Sequence, residues 1–184
     1  MSIWELEQAS ENYTLMNELV RAYHPVLAEA KIIIYCSDKN KIKSNAIIMA
    51  EASRASSKMK ASVNADFTIT IYVGPWSDLT PIQKKACMDH ELCHCGFQYE
   101  PVKEVVGRSR TGTPRMKVVK DEHGRTQYTN DVKRDVDGIP KWKLIDHDLE
   151  DFYDIVHRYG LWNENLRSFK QAIDQSEVTE EGAA

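Results

Sequence analysis

The chain has 184 residues, 42% of them hydrophobic and 28% charged, with a formal net charge of −4. That composition supports one packed domain and excludes global disorder, and the mild acidity gives no overall bias towards nucleic acid or an anionic membrane. The opening MSIWELEQASENYT lacks a basic n-region and an apolar h-region, and no run of about 18 apolar residues follows, so a signal peptide and a membrane span are not expected and the cytoplasm is the predicted location.

Leu15, Leu19 and Val20 recur at helical spacing within 11–23, and Pro25 follows the expected helix end. The β-branched run KIIIYCS at 31–37 predicts a strand. NAIIMAEAS at 45–53 fits strand or helix, and the polar KNKIKS before it favours a strand after a solvated turn. In ADFTITIYVG, residues 65–74, Phe67, Ile69, Ile71 and Val73 alternate with Thr68, Thr70 and Tyr72, which predicts a half-buried strand.

LTPIQKKACMDHELCHCG follows. Thr80 is a suitable N-cap, Pro81 suits the first helical position, and Gln83 completes a capping box. With Gly96 expected at the C-terminal cap, a helix over about 81–95 is predicted. Residues 101–143 carry eleven Lys and Arg against six Asp and Glu, an excess of five positive charges. Within them MKVVKDEHGRTQYTN reads as a hairpin turning at DEHG. Leu149, Phe152, Val156 and Tyr159 share one face of a predicted helix over 145–159, ended by Gly160. The acidic 173–184 are expected to be frayed or disordered, leaving 1–172 as one domain. No internal repeat is evident.

Of Cys36, Cys87, Cys93 and Cys95, the last three crowd into nine residues, poor geometry for a disulfide framework, and the four are read as reduced thiols. The chemistry concentrates in DHELCHCGF, where His90, Glu91 and His94 form H-E-x-x-H. On a helix, residues four apart point the same way, so His90 and His94 can reach one metal ion. Glu91, rotated by about 100°, sits beside the ion rather than on it and can act as general base. A catalytic zinc needs a third protein ligand and an open position.

Among the other histidines, His147 is the leading candidate for that ligand, with Asp146 and Asp148 placed to orient its ring. Asp148, Glu150 and Asp151 stay open as carboxylate alternatives, since Asp148 and Asp151 lie nearer the apolar face of the predicted helix. His24 is expected to cap the first helix, His123 to be solvated in its turn, and His157 to be exposed. Cys87 shares the ligand face but is expected to fill the core. Cys93 and Cys95 are read as packing or supporting groups. Tyr128, Tyr153 and Tyr159 could donate to an oxyanion, but each is more simply a core or rim aromatic.

ADFTITIYVGPWSDLTPIQKKACMDHELCHCGF, HDLEDFYDIVHRYG and the earlier AYHPVLAEAKIIIYCS together resemble the phage metallopeptidase family over about residues 15–160. HELCH is also similar to the SprT-like zincin metalloproteases. The resemblance implies a compact α+β, zincin-like domain: a small sheet of about three strands and a hairpin against the metal helix and a C-terminal helix. It implies zinc held by His90, His94 and His147, with Glu91 as general base. It implies a peptide or protein substrate, and a host-cell cytoplasmic setting if the chain is phage-encoded. A long basic segment separates His94 from His147, a departure from many zincins.

Zinc-activated water attacking a peptide carbonyl is the leading function, with the strand 66–73 as a sheet edge onto which an extended peptide could add. The alternative is a phage nucleic-acid- or protein-binding module with a structural or vestigial zinc, in which 101–143 holds phosphates. A solvated hairpin competes with that role for the segment. A hydrolase acting on another bond, such as a cell-wall amide, is a third reading.

Overall fold

A computed structural model describes residues 2–43, 46–147, 160–161 and 164–180. The chain forms two compact units, Met1–Ile145 and Asp146–Ala184. The architecture is α+β, as expected.

In the first unit, β1 (Ile3–Glu5) is followed by α1 (Glu11–Tyr23), a 3₁₀ turn (Pro25–Glu29) and β2 (Ile32–Ser37). A short hairpin of β3 (Lys41–Lys43) and β4 (Ala46–Ile48) leads to β5 (Ala50–Arg54), α2 (Ser57–Val63) and β6 (Phe67–Tyr72). Then come α3 (Val73–Ser77) and α4 (Pro81–His94). The main sheet has the order β1-β2-β6-β5, with β2 and β6 parallel and the outer pairs antiparallel.

The expected strand at 67–72 is present, but it is neither half-buried nor an edge. It is paired on both sides, and even Thr68 and Tyr72 are only 8% exposed. Its threonines suggest a wet face, yet on that face Thr68 and Tyr72 are buried and only Thr70 is partly exposed. Of the segment 45–53, the described residues 46–53 are extended as favoured, with Met49 separating β4 from β5. The sheet edges are β1 and β5, each paired on one side only among the described strands, and β5 is the edge beside α4.

The parallel register sets Ile32 beside Phe67, Ile34 beside Ile69 and Cys36 beside Ile71. These six join Tyr13, Met16, Leu19 and Val20 of α1 and Met88 and Leu92 of α4 in one core. Each large side chain so buried contributes roughly 1.5–3 kcal/mol. Where β1 ends, the Tyr13 hydroxyl accepts the Ile34 N–H at 2.9 Å, so a core side chain completes the ladder. Burial, the largest influence on this phenol, pushes its pKa up.

α4 starts as read. The Thr80 hydroxyl accepts the Gln83 N–H at 3.3 Å and the Gln83 side chain accepts the Thr80 N–H at 2.9 Å. Its end differs. Cys95 is the C-cap in extended backbone and starts β7 (Cys95–Phe97), which pairs with β12 (Trp142–Leu144). Gly96 is required by close approach rather than by a helix cap. A Cβ there would lie 2.4 Å from Ile145 Cγ1 and 2.7 Å from its Cδ1.

The basic segment is an array of short ribbons. β8 (Tyr99–Pro101) pairs with β11 (Tyr128–Val132), and β9 (Lys103–Arg108) with β10 (Pro114–Val118). The DEHG turn exists, but the hairpin around it closes only as far as Gln127 on Val119; its flanking strands pair elsewhere.

A repeat absent from the sequence reading appears here. Ser109–Thr113, Asp121–Arg125 and Asp135–Ile139 adopt one turn. In each, the first residue's N–H bonds the fifth carbonyl, the glycine N–H bonds the first carbonyl, and the first side chain accepts the fifth N–H. Gly112, Gly124 and Gly138 take φ of +81°, +77° and +80°, which a side chain disfavours. Arg134 braces the third tip by a two-point ion pair to Glu29 at 2.7 and 2.8 Å, which holds the Glu29 carboxyl below the usual range.

In the second unit Asp146 and His147 carry no helix, and the rest of the helix expected over 145–159 falls outside the described residues. The described helix, α5 (Glu164–Glu180), runs through 173–180 of the stretch expected to be frayed. A Lys170–Asp174 ion pair at 2.7 Å spans one of its turns. Among the described residues no helix is long and apolar enough to cross a membrane.

Candidate metal centre

α4 presents different chemistry on each side. Met88 and Leu92 enter the core, Glu91 points towards β5, and His90 and His94 lie side by side one turn apart. Their Nε2 atoms are 3.3 Å apart. A tetrahedral ion with zinc–nitrogen bonds of about 2.0–2.1 Å sets two nitrogens about 3.3–3.4 Å apart. The pair therefore fits a shared metal without rearrangement.

His94 is further prepared. Its Nδ1 lies 2.6 Å from the Ile145 carbonyl oxygen, and the Ile145 N–H donates to the His94 carbonyl at 2.9 Å. A carbonyl only accepts, so Nδ1 carries the proton and Nε2 keeps a lone pair. A backbone acceptor on the far nitrogen is the usual device for orienting a metal-binding imidazole. The close approach of Gly96 to Ile145 makes this seat possible.

Glu91 is 6% exposed, and its Oε2 accepts the Ala52 N–H at 2.6 Å. Tyr72 N–H bonds the Met49 carbonyl and Ala55 N–H the Asp66 carbonyl. Alternation then turns the Ala52 amide away from β6, onto the open edge of the sheet. The carboxylate thus joins the metal helix to the edge strand.

The cysteines sort by burial. Burial, with the Glu91 charge second, pushes the Cys87 thiol up to about 11 and the Cys95 thiol up to about 12. Cys87 packs against the core as expected, and Cys95 Sγ donates to the Glu91 carbonyl at 3.5 Å. Cys93 departs from its reading as a packing residue, for it is exposed. His24 does cap α1, but it also meets Asp89 of α4, with Nε2 2.6 Å from Oδ1. No local signal announces a partner 65 positions away.

His123 lies exposed in its turn beside Glu122, as expected. Tyr128 is on β11 and exposed, away from the core. His147 belongs to the second unit and is exposed. Asp148, Glu150, Asp151, Tyr153, His157 and Tyr159 lie outside the described residues.

The family model described as "Putative phage metallopeptidase" matches residues 4–170. The chain belongs to that family. The match spans all of the main sheet but its first residue, α4 with its paired histidines and the ribbon array. No curated protein and no solved structure matches the chain.

Proposed function

We propose that the chain is a zinc-dependent metallopeptidase with His90, His94 and His147 as ligands and Glu91 as general base. The observation that carries this reading is the 3.3 Å spacing of the two Nε2 atoms, with the His94 ring fixed by Ile145. Zinc, when bound, would lower the pKa of a water and polarise the carbonyl under attack. With Glu91 Oε2 anchored on Ala52, Oε1 takes the proton of the attacking water and passes it to the leaving amine.

His147 follows Ile145 by two residues, and Ile145 is bonded to His94 through both its N–H and its carbonyl. Each trans peptide advances Cα by about 3.8 Å, so the tether supports His147 as the third ligand. Asp148, Glu150 and Asp151 are the competing ligands. An extended peptide substrate adds to the open edge of β5, next to Glu91, rather than to the strand at 67–72.

The test combines metal content with cleavage of a mixed peptide substrate. Wild type is expected to hold near one zinc at this site. Glu91→Gln should keep it and lose about 10²–10⁴-fold in turnover. His147→Ala should lose zinc, whereas full retention would move the third place to a carboxylate. Turnover unchanged in Glu91→Gln would overturn the assignment of the base.

A second reading, contact with nucleic acid, has its own support. Tyr99, Tyr128, Lys133 and Lys143 line a cavity of about 630 Å³ in the ribbon array, joining aromatic faces to positive charge. Binding of single strands that weakens with salt, and weakens again in Lys133→Glu with Lys143→Glu, would favour it.

A further inference from the structure

DHELCH contains two interleaved pairs of metal-binding residues four apart: His90 with His94, and Asp89 with Cys93. The second pair lies on the neighbouring stripe of α4, rotated by about 100°. There it meets His24, at the C-cap of α1. One donor atom from each of His24, Asp89 and Cys93 lies within 4.8 Å of the other two. We propose that these three residues form a second metal site, distinct from the His90–His94 pair, which takes a thiophilic divalent ion of the zinc class.

The donor set suits that ion. Imidazole, carboxylate and thiolate are all zinc ligands, and thiolate selects against magnesium and calcium. A bound thiolate and carboxylate together offset the double positive charge. Three protein ligands leave the fourth position to water. Zinc–ligand distances of about 2.0–2.3 Å require donors about 3.3–3.7 Å apart. His24 Nε2 and Asp89 Oδ1, now 2.6 Å apart, would separate slightly as the ion replaces the proton between them. That is a small side-chain rotation, since His24 and Asp89 are partly exposed and Cys93 is exposed.

The ion would clamp the end of α1 to the C-terminal half of α4. It would fasten from outside the same two helices that the core holds from inside. The proposal does not depend on the peptidase reading, because its ligands are different residues.

Cobalt titration followed by absorption tests it. A thiolate–cobalt bond gives a charge-transfer band in the near ultraviolet, and the His90–His94 site contains no thiolate. Wild type should bind Co²⁺ with this band. His90→Ala with His94→Ala should lose the other equivalent yet keep the band. Cys93→Ser, a small exposed change, should lose the band and one equivalent, and His24→Gln should weaken binding at least tenfold. A wild type without the band, or a band that survives Cys93→Ser, would overturn the proposal. Loss of metal confined to the His90 and His94 variants would overturn it while leaving the first site intact.

Discussion

The main sheet and the ribbon array lie in one unit and are held together by different forces. In β2 and β6 nearly every side chain is buried, whereas every residue of β9 is exposed. The first region is stable because apolar surface leaves water; the second keeps its shape through backbone pairing and three side-chain-capped turns. The paired histidines and Glu91 belong to the first, on a helix packed into the core. Catalytic geometry needs rigid support, and the ribbons can vary without disturbing it.

Breaking the first region should have the largest effect. Ile69→Ala removes a fully buried side chain from β6 and should cost about 2–5 kcal/mol in urea unfolding. Gly96→Ala comes next, because its Cβ must displace Ile145. Overpacking should cost about 1–3 kcal/mol, and affinity for a metal at the histidine pair should fall as the His94 ring loses its seat. Unchanged affinity would show that the Ile145 carbonyl does not orient the ligand. Val105→Ala on β9 should stay within about 0.5 kcal/mol; a cost like that of Ile69 would show that the ribbons bury a surface against a partner.

The smallest effect concerns the Asp121 turn. The Arg125 backbone amide leads the contacts that hold its carboxyl below the usual range. A lowered folded pKa means that the contribution is present above the unfolded value and lost as pH falls through the folded one. Protection of the His123 and Arg125 amides, measured against the unstructured rate at each pH, should fall below about pH 4 while the core amides stay protected. Uniform loosening of both regions would deny their independence.

The legible parts of the chain were those with local signals. Thr80, Pro81 and Gln83 announced α4, and the four-residue interval announced the histidine pair. The strand at 67–72 was legible, but its place in the sheet was not, since alternating threonines look the same whether water or protein covers them. α2 was missed although Ser56 accepts the Met59 N–H as its cap and Asn64 closes it in the left-handed conformation. The three turns escaped as a repeat because serine replaces aspartate in the first, and only the hydrogen bonds make the two equivalent. His24 and Asp89 meet through tertiary packing, which no interval in the sequence encodes. His147 was singled out among the histidines by its place between Asp146 and Asp148, a local signal.

The bond from Ala52 to Glu91 also bears on self-association. An edge strand with its amides exposed invites a second copy of the chain to extend the sheet, and proteins that escape aggregation block such edges. Here a buried carboxylate occupies one outward amide of β5, so a neighbouring copy would have to displace it. Any strand that adds there meets the same plug, so the residue proposed as general base would also guard the edge against polymerisation.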